Sequence, residues 1–185
     1  MAVRGDQEQV GQLERSVVDV VFETAWRRDD PGQAEQARAF WEGLLPAAER
    51  ERRVSELCCM AYEGDRLVGV STAYPMAYPQ VKARLFTYRC AIAPDFRRHE
   101  LAKRITGRSI AILRDWVADN PGEDTLGVAA VIQAAELQGM ALRPLWPDHG
   151  MDLNLACYLA SGEQLRVAWF PHAGSGPPLQ GFGSS

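Results

Sequence analysis

Five basic side chains, Arg97, Arg98, Lys103, Arg104 and Arg108, crowd one stretch of the chain, and their neighbours decide what chemistry they serve. Leu85 to Ala93 is a run of β-branched, aromatic and apolar residues, the composition of a buried strand. Pro94 lacks a backbone donor and ends the ladder. From Leu101 the period changes, with Leu101, Ile105, Ile112 and Trp116 on one helical face and Ser109 between them. The prediction is strand, short loop, long helix. Backbone N–H groups at the start of a helix have no helical partner, and beside several cations they form an anion site, for phosphate above all. Charge alone fits the solvated face of a helix equally well. The position at a loop-to-helix junction favours phosphate.

The other elements must frame that junction. Asp6 to Gln9 has the form of a capping box, and Val10, Leu13, Val17, Val20, Val21 and Ala25 follow at helical spacing. Asp30 is placed to cap a second helix, with Pro31 at its first position and Gln33 completing a box. That helix is expected to bury Ala34, Ala37, Phe40, Trp41, Leu44 and Leu45 and to end near Pro46. Glu49 to Arg53 reads as a solvated extension or loop. Leu57–Tyr62 and Leu67–Tyr74 form a hairpin around Glu63-Gly64-Asp65-Arg66. Tyr74 to Pro79 is expected to be a loop, its two tyrosines either lining a channel or packing over the sheet edge. Asn120-Pro121-Gly122 stops the long helix. Leu126–Gln133 is a central strand, Ala134–Leu142 a short helix and Arg143–Gly150 a loop. Leu153–Leu159 and Leu165–Pro171 make a last hairpin. Ala173 to Ser185, rich in Gly, Pro and Ser, reads as a flexible tail, which leaves residues 1–172 as one domain. No strand is evident ahead of the helices.

Bulk composition sets the class. With 185 residues, 46% of them hydrophobic, the chain can bury one sizeable core. A formal charge of −4 gives no case for nucleic acid or an anionic membrane as partner, and mildly suits a cationic amine. Met1 to Gln12 has no apolar leader core and no segment is long enough to span a bilayer, so a cytoplasmic location is expected. Cys58, Cys59, Cys90 and Cys157 form no Cys-x-x-Cys pair; they read as reduced core thiols, with no metal site.

Pro94 to Ala102 resembles the acyl-CoA-binding segment of the GNAT superfamily of N-acyltransferases, in which a strand leads into Arg/Gln-x-x-Gly-x-Gly/Ala at a helix start. Arg97 matches the first position of that pattern and Ala102 the last, while Glu100 stands where the family has glycine. The order of elements from about Val10 to Pro171 is similar to the superfamily's as well. The resemblance implies a single-domain α/β (α+β) fold with a central mixed, mostly antiparallel sheet flanked by helices. It also implies acetyl-CoA as co-substrate. Arg97, Arg98 and the segment His99, Glu100, Leu101, Ala102 and Lys103 would hold its pyrophosphate, and the backbones of Ile92 and Ala93 its pantetheine. A carboxylate at Glu100 repels phosphate if it points inward and is harmless if it points out.

Acyl transfer from a thioester to an amine needs a base for the amine, a donor for the oxyanion and an acid for the leaving thiolate. In the superfamily the oxyanion donor is a strand amide, here near Ile92. No Asp or Glu lies between Arg84 and Ala93, and no tyrosine lies between Ala134 and Leu142, so two positions the family commonly uses are empty. The substitutes are Glu136, just past a strand end, as base; His149, an imidazole in an irregular loop, at the acceptor; and Tyr88 or Tyr158 as acid. Cys90 reads as a small core residue. The expected activity is acetyl transfer to a primary amine, on a small molecule or a peptide. The alternative is a GNAT-fold binding or scaffold protein that no longer catalyses. The fold also admits a homodimer through exchange of late strands.

Overall fold

The computed structural model describes residues 19–97, 100–132 and 143–171. Their elements, in chain order, are β1 (Val20–Thr24), α1 (Pro31–Phe40), α2 (Ala47–Val54), β2 (Leu57–Glu63), β3 (Arg66–Tyr78), β4 (Ala83–Ile92), α3 (Leu101–Asp119), β5 (Gly127–Ile132), β6 (Leu145–Trp146), β7 (Leu153–Tyr158) and β8 (Gln164–Trp169). The strands form one sheet in the order β1-β2-β3-β4-β5-β8-β7-β6. Every pairing is antiparallel except β4 with β5. This is the expected mixed, mostly antiparallel sheet flanked by helices.

Three local expectations are corrected. Val20 to Thr24 is a strand, not the end of a helix, and pairs with β2 from Val20↔Glu63 to Thr24↔Cys59. Val-Val-Phe-Glu-Thr favours strand by side-chain type, and its apolar spacing also fits a helix, so the partner strand decides. The Asp6–Gln9 box and Val10, Leu13 and Val17 lie outside the described residues. Tyr74 to Tyr78 continues β3, with Pro75 opposite Phe86. β2 stops at Leu57↔Thr72, so beyond it β3 has a neighbour on one side only, where a missing proline N–H is tolerated. Within Arg143–Gly150, Leu145 and Trp146 pair with Asn154 and Leu153, and Asp148–Gly150 is a 3₁₀ turn.

The helices cover opposite faces. Asp30 Oδ1 accepts the N–H groups of Gly32 and Gln33, as its place before Pro31 predicts. α1 then buries Ala37, and Trp41 just beyond it packs with Met60 and Val70; Leu44 stays exposed, so the apolar stripe ends sooner than its spacing suggests. α3 buries Leu101, Ile105, Ser109, Leu113 and Val117 on the other face, while Ile112 and Trp116 are only partly covered. Buried hydroxyls fix its height over β3: Ser109 Oγ donates to Ile105 O at 2.7 Å and lies 2.8 Å from Ser71 Oγ. Among the described residues no helix is long and apolar enough to cross a membrane. The Ala134–Leu142 helix and the 173–185 tail fall outside the described residues.

Candidate active site

The parallel pairing of β4 with β5 runs only from Phe86↔Val128 to Tyr88↔Ala130. Beyond it each strand follows its other neighbour. β4 stays on β3 through Ile92↔Gly69, and β5 stays on β8 through Ile132↔Gln164. The two halves of the sheet part, and a cleft of about 380 Å³ opens between them. Its walls include Tyr88, Arg89 and Cys90 of β4, Ala130 to Ile132 of β5, Ala102, Lys103 and Thr106 of α3, and Arg53 of α2.

Strand alternation determines which groups face this gap. Ala93 gives its N–H to Val68 O at 2.9 Å, and its carbonyl takes the N–H of Phe96. In an antiparallel ladder the next residues back alternate in direction. The main-chain groups of Cys90 and Ile92 therefore turn away from β3, towards the side that β5 has left. Of the two residues expected to pair with a ligand through their backbones, Ile92 has that orientation and Ala93 has both groups engaged. Side chains alternate too. Tyr88 points to α3, where its hydroxyl lies 3.1 Å from Thr106 Oγ1, which itself donates to Ala102 O at 2.6 Å. The tyrosine therefore donates to the threonine, and burial holds its pKa well above the ordinary value. Arg89 points to the opposite face, donating to Glu56 Oε2 at 3.1 Å and Tyr74 Oη at 2.9 Å.

Cys90 is not the core residue that its apolar run suggests. It is exposed along the cleft, although the surrounding walls raise its thiol pKa. Cys58 and Cys59 are buried as expected.

At the junction between β4 and α3 an acidic side chain stands beside a lysine. Pro94–Phe96 forms a 3₁₀ turn and α3 begins at Leu101 with no side-chain cap. Glu100 has φ 54°, the left-handed conformation that favours glycine, and it occupies the position where the family pattern has glycine. Its carbonyl accepts the N–H groups of Lys103 and Arg104. Its exposed carboxylate binds Lys103 Nζ at 2.8 Å and lies 3.4 Å from His149 Nε2, and Lys103 also reaches Asp148 at 3.5 Å. The hydrogen bond from Lys103, and then that from His149, lowers the Glu100 pKa, and Glu100 in turn raises that of Lys103. His149 thus sits beside the start of α3 rather than on the cleft wall. Arg104 leans away, its guanidinium 5.1 Å from the Phe22 ring. Tyr158 is exposed on β7, off the cleft wall. Glu136, Arg98 and His99 lie outside the described residues.

Thr106, Arg53 and Arg89 were not singled out by sequence reasoning. Thr106 had a signal, being one helical turn beyond Ala102. Arg89 had one too, being next to Tyr88 on a strand that alternates. Arg53 had none, because only the packing of α2 brings it there.

The start of α3, with Lys103 on the cleft wall, stands at one end, and main-chain groups of Cys90 and Ile92 turn to the parted side of β4. The profile of the acetyltransferase (GNAT) family matches residues 21–123. Among solved structures the chain is similar to Arabidopsis thaliana NAA60 in complex with acetyl-CoA (14% identity, 82% of this chain and 100% of that one, TM-score 0.51). It is similar to a GNAT-family acetyltransferase of Streptococcus pneumoniae (11%, 82% and 99%, TM-score 0.51) and to an agmatine N-acetyltransferase mutant in its apo form (14%, 82% and 100%, TM-score 0.53). At these identities the likeness is one of fold. No curated protein matches the chain. With more than half of its length matched by that profile, and with the parted β4–β5 pair leading into α3, the chain belongs to the acetyltransferase (GNAT) family.

Proposed function

We propose that the protein is an acyl-CoA-dependent N-acyltransferase that moves an acetyl group from acetyl-CoA to a primary amine. The observation that carries this reading is the cleft between the parted ends of β4 and β5, with the start of α3 at its mouth. In the reaction the amine nitrogen adds to the thioester carbonyl, the carbon–sulfur bond breaks, and the thiolate leaves with a proton. Arg97, Arg98, the Lys103 side chain and the amides from His99 to Ala102 would hold the pyrophosphate, and the main chain at Ile92 the pantetheine arm. An amide on that strand supplies the oxyanion donor. Tyr88, kept protonated by burial, is the acid nearest the parted strands. Glu136 is the candidate base, and an amine that arrives neutral needs no base, only placement. His149 acts through Glu100, at the phosphate end.

Thermal unfolding with millimolar acetyl-CoA or CoA tests the site. A ligand at ~100 times its Kd adds about 2.7 kcal/mol, a clear rise in midpoint. A rise sends the protein to an amine panel, and turnover there completes the case. A second reading, a GNAT-fold binding protein without turnover, is favoured by one observation: Glu100 already occupies Lys103. It predicts no midpoint shift, or a shift with no transfer to any amine.

A further inference from the structure

Among the described residues, the charged side chains that line the cleft are Lys103, Arg53 and Arg89, with no Asp or Glu beside them on its walls. Lys103 belongs to the start of α3, the phosphate end. Arg53 and Arg89 are on the other face of the sheet, where an acceptor would enter opposite the thioester. The negative charge of the whole chain suits a cationic amine. The charged groups on the cleft wall are cations, each paired with a carboxylate that is not itself on the wall.

The two arginines are held differently. Arg89 is fixed by Glu56 and by the Tyr74 hydroxyl, with its guanidinium 4.7 Å from the centre of the Tyr74 ring. Among the described residues Arg53 donates through Nε alone, to Glu49 at 2.9 Å, which leaves its terminal nitrogens for another acceptor. Glu49 is shared with Arg52 at 2.8 Å. Each of the two cleft arginines thus already has a carboxylate partner, Glu49 for Arg53 and Glu56 for Arg89, and what remains is hydrogen-bonding capacity at the Arg53 terminal nitrogens rather than net charge. A fixed guanidinium fork suits a planar carboxylate, which it can meet with two parallel hydrogen bonds. A polyamine would bring a second cation against the same groups.

Resting on the N-acyltransfer reading, we infer that the acceptor is an amine that carries a carboxylate close to its nitrogen, an amino acid or a similar zwitterion, and that Arg53 and Arg89 bind that carboxylate. The carboxylate accepts from the terminal nitrogens of Arg53, and its amine is held near the parted strands. Arg53 and Arg89 are binding residues here and take no proton.

Matched pairs test this with acetyl-CoA: L-phenylalanine against phenethylamine, L-leucine against isoamylamine, and L-lysine against cadaverine. The expected result is at least ~10-fold higher kcat/KM for the carboxylated member of each pair. Arg53→Gln, which removes the Glu49 ion pair together with the proposed carboxylate contact, should raise KM for that member far more than for the decarboxylated one; Arg89→Gln should do the same more strongly. Equal or faster turnover of the decarboxylated amines overturns the inference and leaves N-acyl transfer standing. If no amine turns over, calorimetry of the same pairs with CoA present decides. Binding of the carboxylated members alone supports the carboxylate seat while N-acyl transfer fails. Binding of neither overturns both.

Discussion

Glu100 and Tyr88 are the two residues whose local geometry most directly limits what the site does. Glu100 sits at φ 54°, where a side chain is strained by roughly 1–2 kcal/mol and glycine is not. Its ion pair with Lys103 is exposed and largely screened by water. The backbone strain outweighs the ion pair, so Glu100→Gly should raise the thermal midpoint by about 2–4 °C for a chain of this size. The same change frees Lys103 and should tighten CoA binding, which titration of the variant beside the parent would show; unchanged affinity would mean that the carboxylate already points clear of the phosphates. For Tyr88, the hydroxyl donates to Thr106 within a buried pair. Tyr88→Phe should lower stability by about 1 kcal/mol, the worth of one hydrogen bond. If the hydroxyl protonates the leaving thiolate, kcat should fall ~10²-fold. A kcat within about twofold of the parent would make Tyr88 an anchor of α3 and nothing more.

At the level of elements, two contacts hold the cleft's outer wall in place. The 3₁₀ turn Asp148–Gly150 lies so close on α3 that a Cβ at Gly107 would stand 1.9 Å from the carbonyl oxygen of His149. Alanine favours the helix by up to about 1 kcal/mol, but overpacking against backbone costs about 1–3 kcal/mol, and the clash wins. Gly107→Ala should therefore lower the midpoint by several degrees and, by lifting the turn, part His149 from Glu100; a stabilised variant would show that the turn yields freely. On the far side, Arg166 of β8 is fully buried. It donates to Gln164 Oε1 at 3.0 Å, Leu153 O at 3.3 Å and Arg143 O at 2.7 Å, with its guanidinium 4.0 Å from the Trp146 ring centre. It thereby ties β8 to β7, to β6 and to the segment before β6, which carry Trp146 and Leu153 of the cleft wall. Arg166→Met keeps the bulk and removes every donor. It should cost about 3 kcal/mol, seen as an earlier urea midpoint at unchanged slope.

For the molecule as a whole, stability should fall at both ends of the pH scale for different reasons. Glu49, Glu51 and Glu100 have lowered pKa values, owing to Arg53 with Arg52, to Arg38 and to Lys103. Their contribution is present above the unfolded carboxylate pKa and is lost as pH falls through the folded values; Glu51 and Glu100 are exposed and Glu49 is half-buried, so the acid limb is shallow. Burial pushes the Cys59 thiol up to about 12 from an ordinary value of 9.0. That contribution is whole below the ordinary value and disappears as pH rises through the folded one. Thermal midpoints recorded across the pH range should therefore bend down more steeply on the alkaline side, and Cys59→Ala should flatten that limb. How much of the fold and the site was legible in the sequence varies by feature. The sequence alone determined the α1 cap at Asp30, the β2–β3 hairpin and the β4–turn–α3 junction, because each rests on local chemistry: a side chain reaching its own backbone, a glycine turn, a proline ending a ladder. It could not assign β1, since Val20 to Thr24 fits two periodicities and only the edge of β2 chooses between them. Nor could it show that β4 and β5 part after Tyr88, that Cys90 opens onto the gap, or that Arg53 and Arg89 both line it. Those follow from which neighbour each strand keeps and from where α2 packs. They join residues far apart in the chain, and no local pattern encodes them.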